Sequence, residues 1–243
     1  VVAVEDTRVS ARLLRHAGSD RPMIPYHDHS ADSVRARLVD RMAGESVALL
    51  SDAGTPLIAE PGYKLVRDAR AAGRRITTLP GPSAAIAALT LSGLPTDRFL
   101  FMGFLPSKAK ARGDALDEVA ALRATLVFYE SGPRLSDSLS AMAAHLGDRE
   151  AAVSREISKT FEETATGTLR QLSARYADAP PKGEIVVTVG PPGEAPPPSA
   201  EDVDGALLDA MIRLPVSKAA GEVAKKFGLD RRALYDRAME LKA

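Results

Sequence analysis

The chain has 243 residues, 45% of them apolar, enough to bury a sizeable core in one large or two smaller domains. Lys plus Arg equals Asp plus Glu at 32 each, so any argument for a nucleic-acid partner must rest on local charge. The absence of Cys excludes disulfides, thiolate metal sites and Cys nucleophiles. No apolar run nears the roughly 20 residues of a membrane span and no signal-peptide pattern opens the chain, so a soluble cytoplasmic protein is expected.

In chain order, short β-rich runs alternate with longer helical stretches, the pattern of an α/β protein with a largely parallel sheet. Strands are predicted at Val1–Val4, Ser46–Ser51, Arg75–Leu79, Phe99–Gly103, Thr125–Tyr129, Ala151–Ser154 and Glu184–Val189. Helices are predicted over Thr7–Ala17, Ala31–Ala43, Gly62–Ala72, Ser83–Leu91, Asp114–Leu122, Arg134–His145 and Leu169–Ala177. Thr7 and Ser30 have N-cap chemistry, and Pro61 sits where a helix starts. Ser92-Gly93-Leu94-Pro95 reads as a hinge between two α/β halves, 1–94 and 95–190. The proline-rich stretch 191–198 reads as a stiff linker to a helical module over 199–243. There Ser217 is a candidate cap for a helix that turns Ala220, Val223 and Phe227 inward. Gly228 supplies a turn, and Asp230 caps a second helix bearing Leu234 and Leu241, a helix-turn-helix outline.

Three loops at strand ends carry chemistry. Ser51-Asp52-Ala53-Gly54-Thr55-Pro56 follows a buried strand, where open α/β sheets bind ligands. Gly54 lets the backbone approach a ligand, and Asp52 offers an acceptor for ammonium or ribose hydroxyl groups; an ordinary Asp turn is the alternative. Leu79-Pro80-Gly81-Pro82-Ser83-Ala84 turns a strand end into a helix whose free N–H groups attract anions, or is simply a capped helix start. Tyr129 and Glu130 lie on the third loop. Tyr129 is placed to stack on an adenine or a cation and Glu130 to accept from a hydroxyl; a core aromatic beside a solvated acid is the other reading.

From Arg98 to Gly113 the chain holds Arg98, Lys108, Lys110 and Arg112 and no acid, on an expected loop suited to phosphates. Residues 211–243 carry 8 Lys and Arg against 4 Asp and Glu. Glu5-Asp6-Thr7-Arg8 and Arg155-Glu156-Ile157-Ser158-Lys159 are either salt-bridge clusters or a general base beside a phosphate clamp. His27 and His29 lack a third ligand, so no metal is expected; a substrate contact or a place at the opening of the next helix suits them better.

These segments, together with Pro61-Gly62-Tyr63, Ser92–Phe99, Gly103-Phe104-Leu105-Pro106 and Phe128-Tyr129-Glu130-Ser131, resemble the ribosomal RNA small subunit methyltransferase I family of the tetrapyrrole methylases. The likeness runs in order from residue 1 to about 190, and the helical tail is similar to that family's C-terminal helix-turn-helix. The resemblance implies a two-domain tetrapyrrole-methylase (class III methyltransferase) α/β fold with a small C-terminal helical module. It implies S-adenosylmethionine in the cleft between the α/β domains and a homodimer. The substrate it implies is the 2′-oxygen of a cytidine near the decoding site of 16S rRNA, within the 30S subunit. Cofactor contacts carried over are Asp52, Ala53, Gly54, Thr55, Ser83, Ala84, Tyr129, Glu130 and the late strand starting at Glu184. Glu5 or Glu156 is expected to act as the base, with Arg8, His27, Arg98, Lys108, Arg155 and Lys159 on the RNA. A relative acting on a corrinoid or porphyrin-like ring is the alternative, and a helix-turn-helix regulator a more distant one. The family begins with a further strand and a Thr-Pro-Ile-Gly-Asn-type loop that this sequence does not include. The cleft is therefore expected to stand open beside Val1–Val4, and the missing segment to be worth at least about tenfold in cofactor affinity.

Overall fold

A computed structural model describes residues 1–27, 30–193 and 198–242. They fall into two compact units, Val1–Pro192 and Gly193–Ala243.

In the first unit, β1 (Val2–Val4) lies between β2 (Met23–Pro25) and β3 (Ala48–Leu50), both parallel to it. Helices α1 (Thr7–His16), α2 (Asp32–Arg41) and α3 (Tyr63–Ala71) alternate with these strands. Leu38, Val39, Leu65 and Ala69 pack with Tyr26 on Ala3. The expected opening beside Val1–Val4 is corrected: Val2, Ala3 and Val4 are buried and paired on both sides, and the free edges belong to β2 and β3. Strand β2 is too short for a periodic signal, and its edge position tolerates Pro25. Arg75–Leu79 forms no strand: among the described residues no strand pairs with it, and Leu79 is 87% exposed. The cap of α1 is Asp6 rather than Thr7. Ser30 accepts from the His27 N–H at 2.9 Å, and α2 starts behind Ala31 without a side-chain cap.

The second sheet has the order β4-β5-β8-β6-β7, with β4 (Phe99–Phe104), β5 (Thr125–Ser131), β6 (Glu150–Arg155), β7 (Glu163–Thr168) and β8 (Glu184–Val189). Only β4 and β5 are parallel; the other neighbours are antiparallel. The expectation of a largely parallel sheet therefore holds for the first sheet and fails for the second, since hydrophobic runs do not encode strand direction. Strand β7, Glu-Thr-Ala-Thr-Gly-Thr, gives no sequence signal because an edge strand with one buried apolar residue, Ala165, shows no alternation.

Period-2 alternation divides this sheet's two faces. Leu126 and Phe128 of β5 and Ile185, Val187 and Val189 of β8 meet Leu135, Leu139 and Met142 of α6 (Gly132–Leu146) and Leu169 and Leu172 of α7 (Leu169–Ala177). Each fully buried Leu there contributes about 1.5–3 kcal/mol. Val127 and Val186 face Ala85, Ala88 and Leu89 of α4 (Ala84–Leu91). Helix α5 covers Ala109–Asp117, earlier than the expected 114–122, so Lys110 and Arg112 lie on a helix rather than a loop. Gly113 is buried inside α5, where a Cβ would meet the His145 ring at 2.7 Å.

The second unit holds α8 (Ala200–Arg213), α9 (Val216–Phe227) and α10 (Arg231–Lys242) around Leu207, Ala219, Ala220, Val223, Leu234 and Ala238. Gly228 takes the left-handed conformation after α9, and Asp230 accepts from the Ala233 N–H at 2.8 Å, both as expected. Ser217 is not the cap of α9, which begins behind Pro215; its hydroxyl accepts from Arg231 at 3.2 Å. The helix α8, with a Ser199–Asp202 capping box, joins the expected pair. Glu194–Pro197 of the expected linker lie outside the described residues. Among the described residues no helix is long and apolar enough to cross a membrane.

Candidate active site

Parallel strands β1 and β3 deliver Glu5–Arg8 and Ser51–Gly62 from their carboxyl ends. The Asp6 N–H donates to Asp52 at 3.4 Å, bringing the two loops together. Ser51 donates to the Ala53 carbonyl at 3.1 Å, and Gly54 turns the chain with φ 66°. Thr55 donates its hydroxyl to the Pro82 carbonyl at 2.8 Å, joining this loop to the start of α4. Leu57 and Ala59 hold φ 75° and 58°, a left-handed conformation that costs non-glycine residues about 1–2 kcal/mol. Such strain is kept where the surrounding structure over-determines it, commonly at functional sites.

Glu60 follows this strained stretch. Burial, then a hydrogen bond shared with Glu5, then the charges of Glu5, Asp52 and Glu184 push its carboxyl up to about 7. Glu60 thus holds a proton close to neutral pH, with Glu5 as its hydrogen-bond partner. Glu60 carries no flag in the sequence, because the family-like string stops at Ile58 and resumes at Pro61. An acid immediately before the Pro-Gly that opens α3 was the available signal.

Tyr129 points from β5 toward α4. Its hydroxyl meets the Ala85 backbone, and burial pushes its ionisation up, aided by the charges of Glu60 and Glu184. Its ring is met edge-on by Phe101 at 4.9 Å and Phe104 at 5.6 Å. Ser83 makes no capping bond and Ala84 is exposed, leaving leading N–H groups of α4 open to an anion.

Glu130 is a correction. As the neighbour of Tyr129 on a strand it points the opposite way, into the α6 face, where it is buried. It accepts from Ser138 at 2.6 Å and the Ser131 N–H at 2.8 Å, and lies 3.5 Å from Arg134. It supports the fold and does not line the site.

A second charged group closes another side. Glu156, at φ 48°, accepts from the Glu184 N–H at 3.1 Å and Lys159 at 3.2 Å, which together hold its carboxyl below the usual range. Lys159 also reaches Glu184 at 2.8 Å, and these two acids raise its ammonium. Arg155 is paired with Glu163 at 2.7 Å. Arg8 is paired with Asp6 at 2.7 Å, and the Arg8 guanidinium and backbone N–H hold that carboxyl at about 2. These expected RNA cations are therefore already matched to acids. Arg98 and Lys108 are exposed and form no ion pair among the described residues. Glu5, Asp52, Glu184 and Tyr129 are gathered around Glu60, with Glu156 attached through Glu184. Among the described residues no group of His, Asp and Glu is arranged to hold a metal; His29 lies outside them.

Comparison with known proteins bears on this arrangement. Residues 1–173 match the model for Tetrapyrrole (Corrin/Porphyrin) Methylases, and residues 197–242 match the RsmI C-terminal HTH domain. Ribosomal RNA small subunit methyltransferase I of Mesorhizobium japonicum is 52% identical over 100% of this chain and 83% of the relative. The crystal structure of diphthine synthase aligns with a TM-score of 0.59 at 17% identity, covering 78% of each chain. That of uroporphyrin-III C-methyl transferase from Thermus thermophilus, complexed with S-adenyl homocysteine, aligns at 0.50 and 18%, covering 78% of this chain and 84% of that one. At those identities the two structures speak to fold alone. The family models and the full-length relative go further: the chain belongs to the ribosomal RNA small subunit methyltransferase I family of the tetrapyrrole methylases.

Proposed function

We propose that the chain transfers a methyl group from S-adenosylmethionine to the 2′-oxygen of a cytidine in 16S rRNA, within the small ribosomal subunit and hence in the cytoplasm. The observation that carries the chemistry is the Glu5–Glu60 carboxyl pair beside Asp52, Glu184 and Tyr129. The donor set fits the cofactor: Asp52 is an exposed acceptor for an ammonium, and the uncapped start of α4 offers N–H groups to a carboxylate. Asp52 to Thr55, Ser83, Ala84, Tyr129 and Glu184 would hold it. When bound, it supplies an electrophilic methyl group on a sulfonium.

The chain's own residues then position the hydroxyl and take its proton. A ribose 2′-hydroxyl is a poor nucleophile until deprotonated. The Glu60 carboxyl, raised to about 7, is matched to that task, worth about 10²–10⁴-fold in rate. Of the two acids first considered, Glu5 stays in the role through its bond to Glu60. Glu156 is the weaker choice, since Lys159 and the Glu184 N–H stabilise its charge. Arg98 and Lys108 are the cations open to phosphate; Arg8, Arg155 and Lys159 would have to exchange a carboxylate for one. His27 is assigned to the same RNA surface on resemblance. The homodimer rests on the family too, and sedimentation of the protein tests it.

Methyl incorporation from labelled cofactor into undermethylated 30S subunits tests the substrate, with tetrapyrrole precursors as the competing acceptor. Label in 2′-O-methylcytidine supports the proposal, and label in the macrocycle overturns it.

A further inference from the structure

Strand β4 contains an irregularity next to the site. Leu100 and Met102 pack toward α6, while Phe101 turns toward α4. Strict alternation would send Phe104 to the α6 face with Leu100 and Met102. Instead the register shifts between Phe101 and Gly103, and Gly103 takes φ 64°. The extra residue brings Phe104 opposite Tyr129, on the α4 face, with its ring against the same tyrosine that Phe101 touches. Bulges beside active sites commonly re-aim a side chain in this way.

The chain beyond the bulge is fastened. Leu105 is buried, and Arg134 donates to the Leu105 carbonyl at 2.7 Å and to that of Pro106 at 3.4 Å. The buried Glu130 lies beside the same guanidinium at 3.5 Å. Phe104 is therefore set on an anchored segment, yet it stays 58% exposed. A bent strand and the half-buried Arg134, paired with Glu130, together hold a phenyl ring out to solvent, one ring away from the hydroxyl that senses Glu60 and Glu184.

We propose that Phe104 is the platform on which a base of the substrate RNA stacks, at or next to the methylated nucleotide. Unpaired RNA is recognised by aromatic stacking combined with cations along the backbone. Lys108 and Lys110 follow Phe104 closely, are exposed, and form no ion pair among the described residues. Stacking of the cofactor's adenine on the same ring would leave that cation run without a purpose. The inference rests on RNA being the substrate.

The chain contains no Trp, so a Phe104→Trp protein carries a single fluorescent reporter at the proposed platform. A cytidine-containing RNA oligonucleotide should quench it, and S-adenosylmethionine alone should not. Phe104→Ala should weaken binding to 30S subunits by about 5- to 150-fold, the range seen for one base–aromatic stack. It should leave cofactor affinity by calorimetry within twofold. Quenching by the cofactor alone, or loss of cofactor affinity with normal 30S binding, overturns the proposal. So does unchanged 30S binding by a folded Phe104→Ala protein when the unaltered protein binds normally. If the unaltered protein binds no RNA at all, the substrate reading falls first and this inference with it.

Discussion

The Thr55 hydroxyl donates to the Pro82 carbonyl at 2.8 Å and so joins the loop after β3 to the loop that leads into α4, 27 residues further on. Both loops belong to the proposed cofactor site, and neither is held to the other by a regular ladder. Replacing Thr55 by Val keeps the shape and removes the donor, leaving the carbonyl to water. A neutral hydrogen bond is worth about 0.5–1.5 kcal/mol, so S-adenosylmethionine should bind about 2- to 10-fold more weakly. Thr55→Ser should restore it. Calorimetry on the two variants reads the difference, and equal affinities would detach this bond from the site.

Asp52 stands exposed at the end of β3, with the Asp6 N–H at 3.4 Å as its protein donor. Little of the fold leans on it. Asp52→Ala should therefore leave the melting temperature nearly unchanged and weaken cofactor binding by about 10- to 150-fold, the value of a charge-assisted bond of about 1.5–3 kcal/mol. Unchanged affinity would reduce Asp52 to a turn residue.

Glu130 predicts the reverse pattern. Glu130→Ala leaves Ser138 and Arg134 without their buried partner and should cost about 3 kcal/mol of stability. Cofactor affinity of the folded fraction should stay near normal. Thermal unfolding beside calorimetry separates the two effects.

The Glu5–Glu60 pair makes the reaction pH-dependent. Because the Glu60 carboxyl is raised from the ordinary 4.5 to about 7, the proton-accepting form appears only as pH rises through that value. The kcat/KM should climb through pH 7 and level off above it. Glu60→Gln should remove this limb and lower kcat by about 10²–10⁴-fold with cofactor affinity little changed. The same raised affinity for the proton favours the folded state most below pH 4.5, a contribution that fades as pH rises through 7. A mutant that keeps the wild-type pH limb would move the base elsewhere.

The helical module 199–243 has its own core and lies beyond the Pro191–Pro198 stretch. Truncation there should leave cofactor affinity intact while reducing RNA affinity. It should also flatten the dependence on salt by about one logarithmic unit for each phosphate that the module neutralises. Binding titrations at several salt concentrations check this, and an unaltered slope would assign the module another task.

The elements legible from sequence are those with both period and punctuation. Leu169–Ala177 sits behind a Thr168–Gln171 capping box, and Glu184–Val189 carries an uninterrupted β-branched run over 185–189; both fall where expected. The tail's Gly228 and Asp230 are equally plain. The illegible parts depend on partners far along the chain. Nothing local says that Arg75–Leu79 finds no neighbour, or that β8 runs antiparallel between β5 and β6. In the site, Asp52 and Tyr129 are visible as residue types at strand ends. Glu130 reads as a site residue only if strand alternation is ignored for two adjacent positions, and the fold turns it inward. Glu60 is hidden because its character comes from burial and from Glu5, 55 positions away, a neighbour that only the folded chain supplies.

The most direct measurement is the identity of the methylated atom. Undermethylated 30S subunits, this protein and S-adenosylmethionine labelled in its methyl group are incubated, and the 16S rRNA is digested to nucleosides. The proposed reaction gives label in 2′-O-methylcytidine at one site per subunit, abolished with Asp52→Ala at low cofactor concentration and strongly slowed with Glu60→Gln. Label on a nucleobase, or 2′-O-methylcytidine formed at full rate by the Glu60→Gln protein, would contradict it.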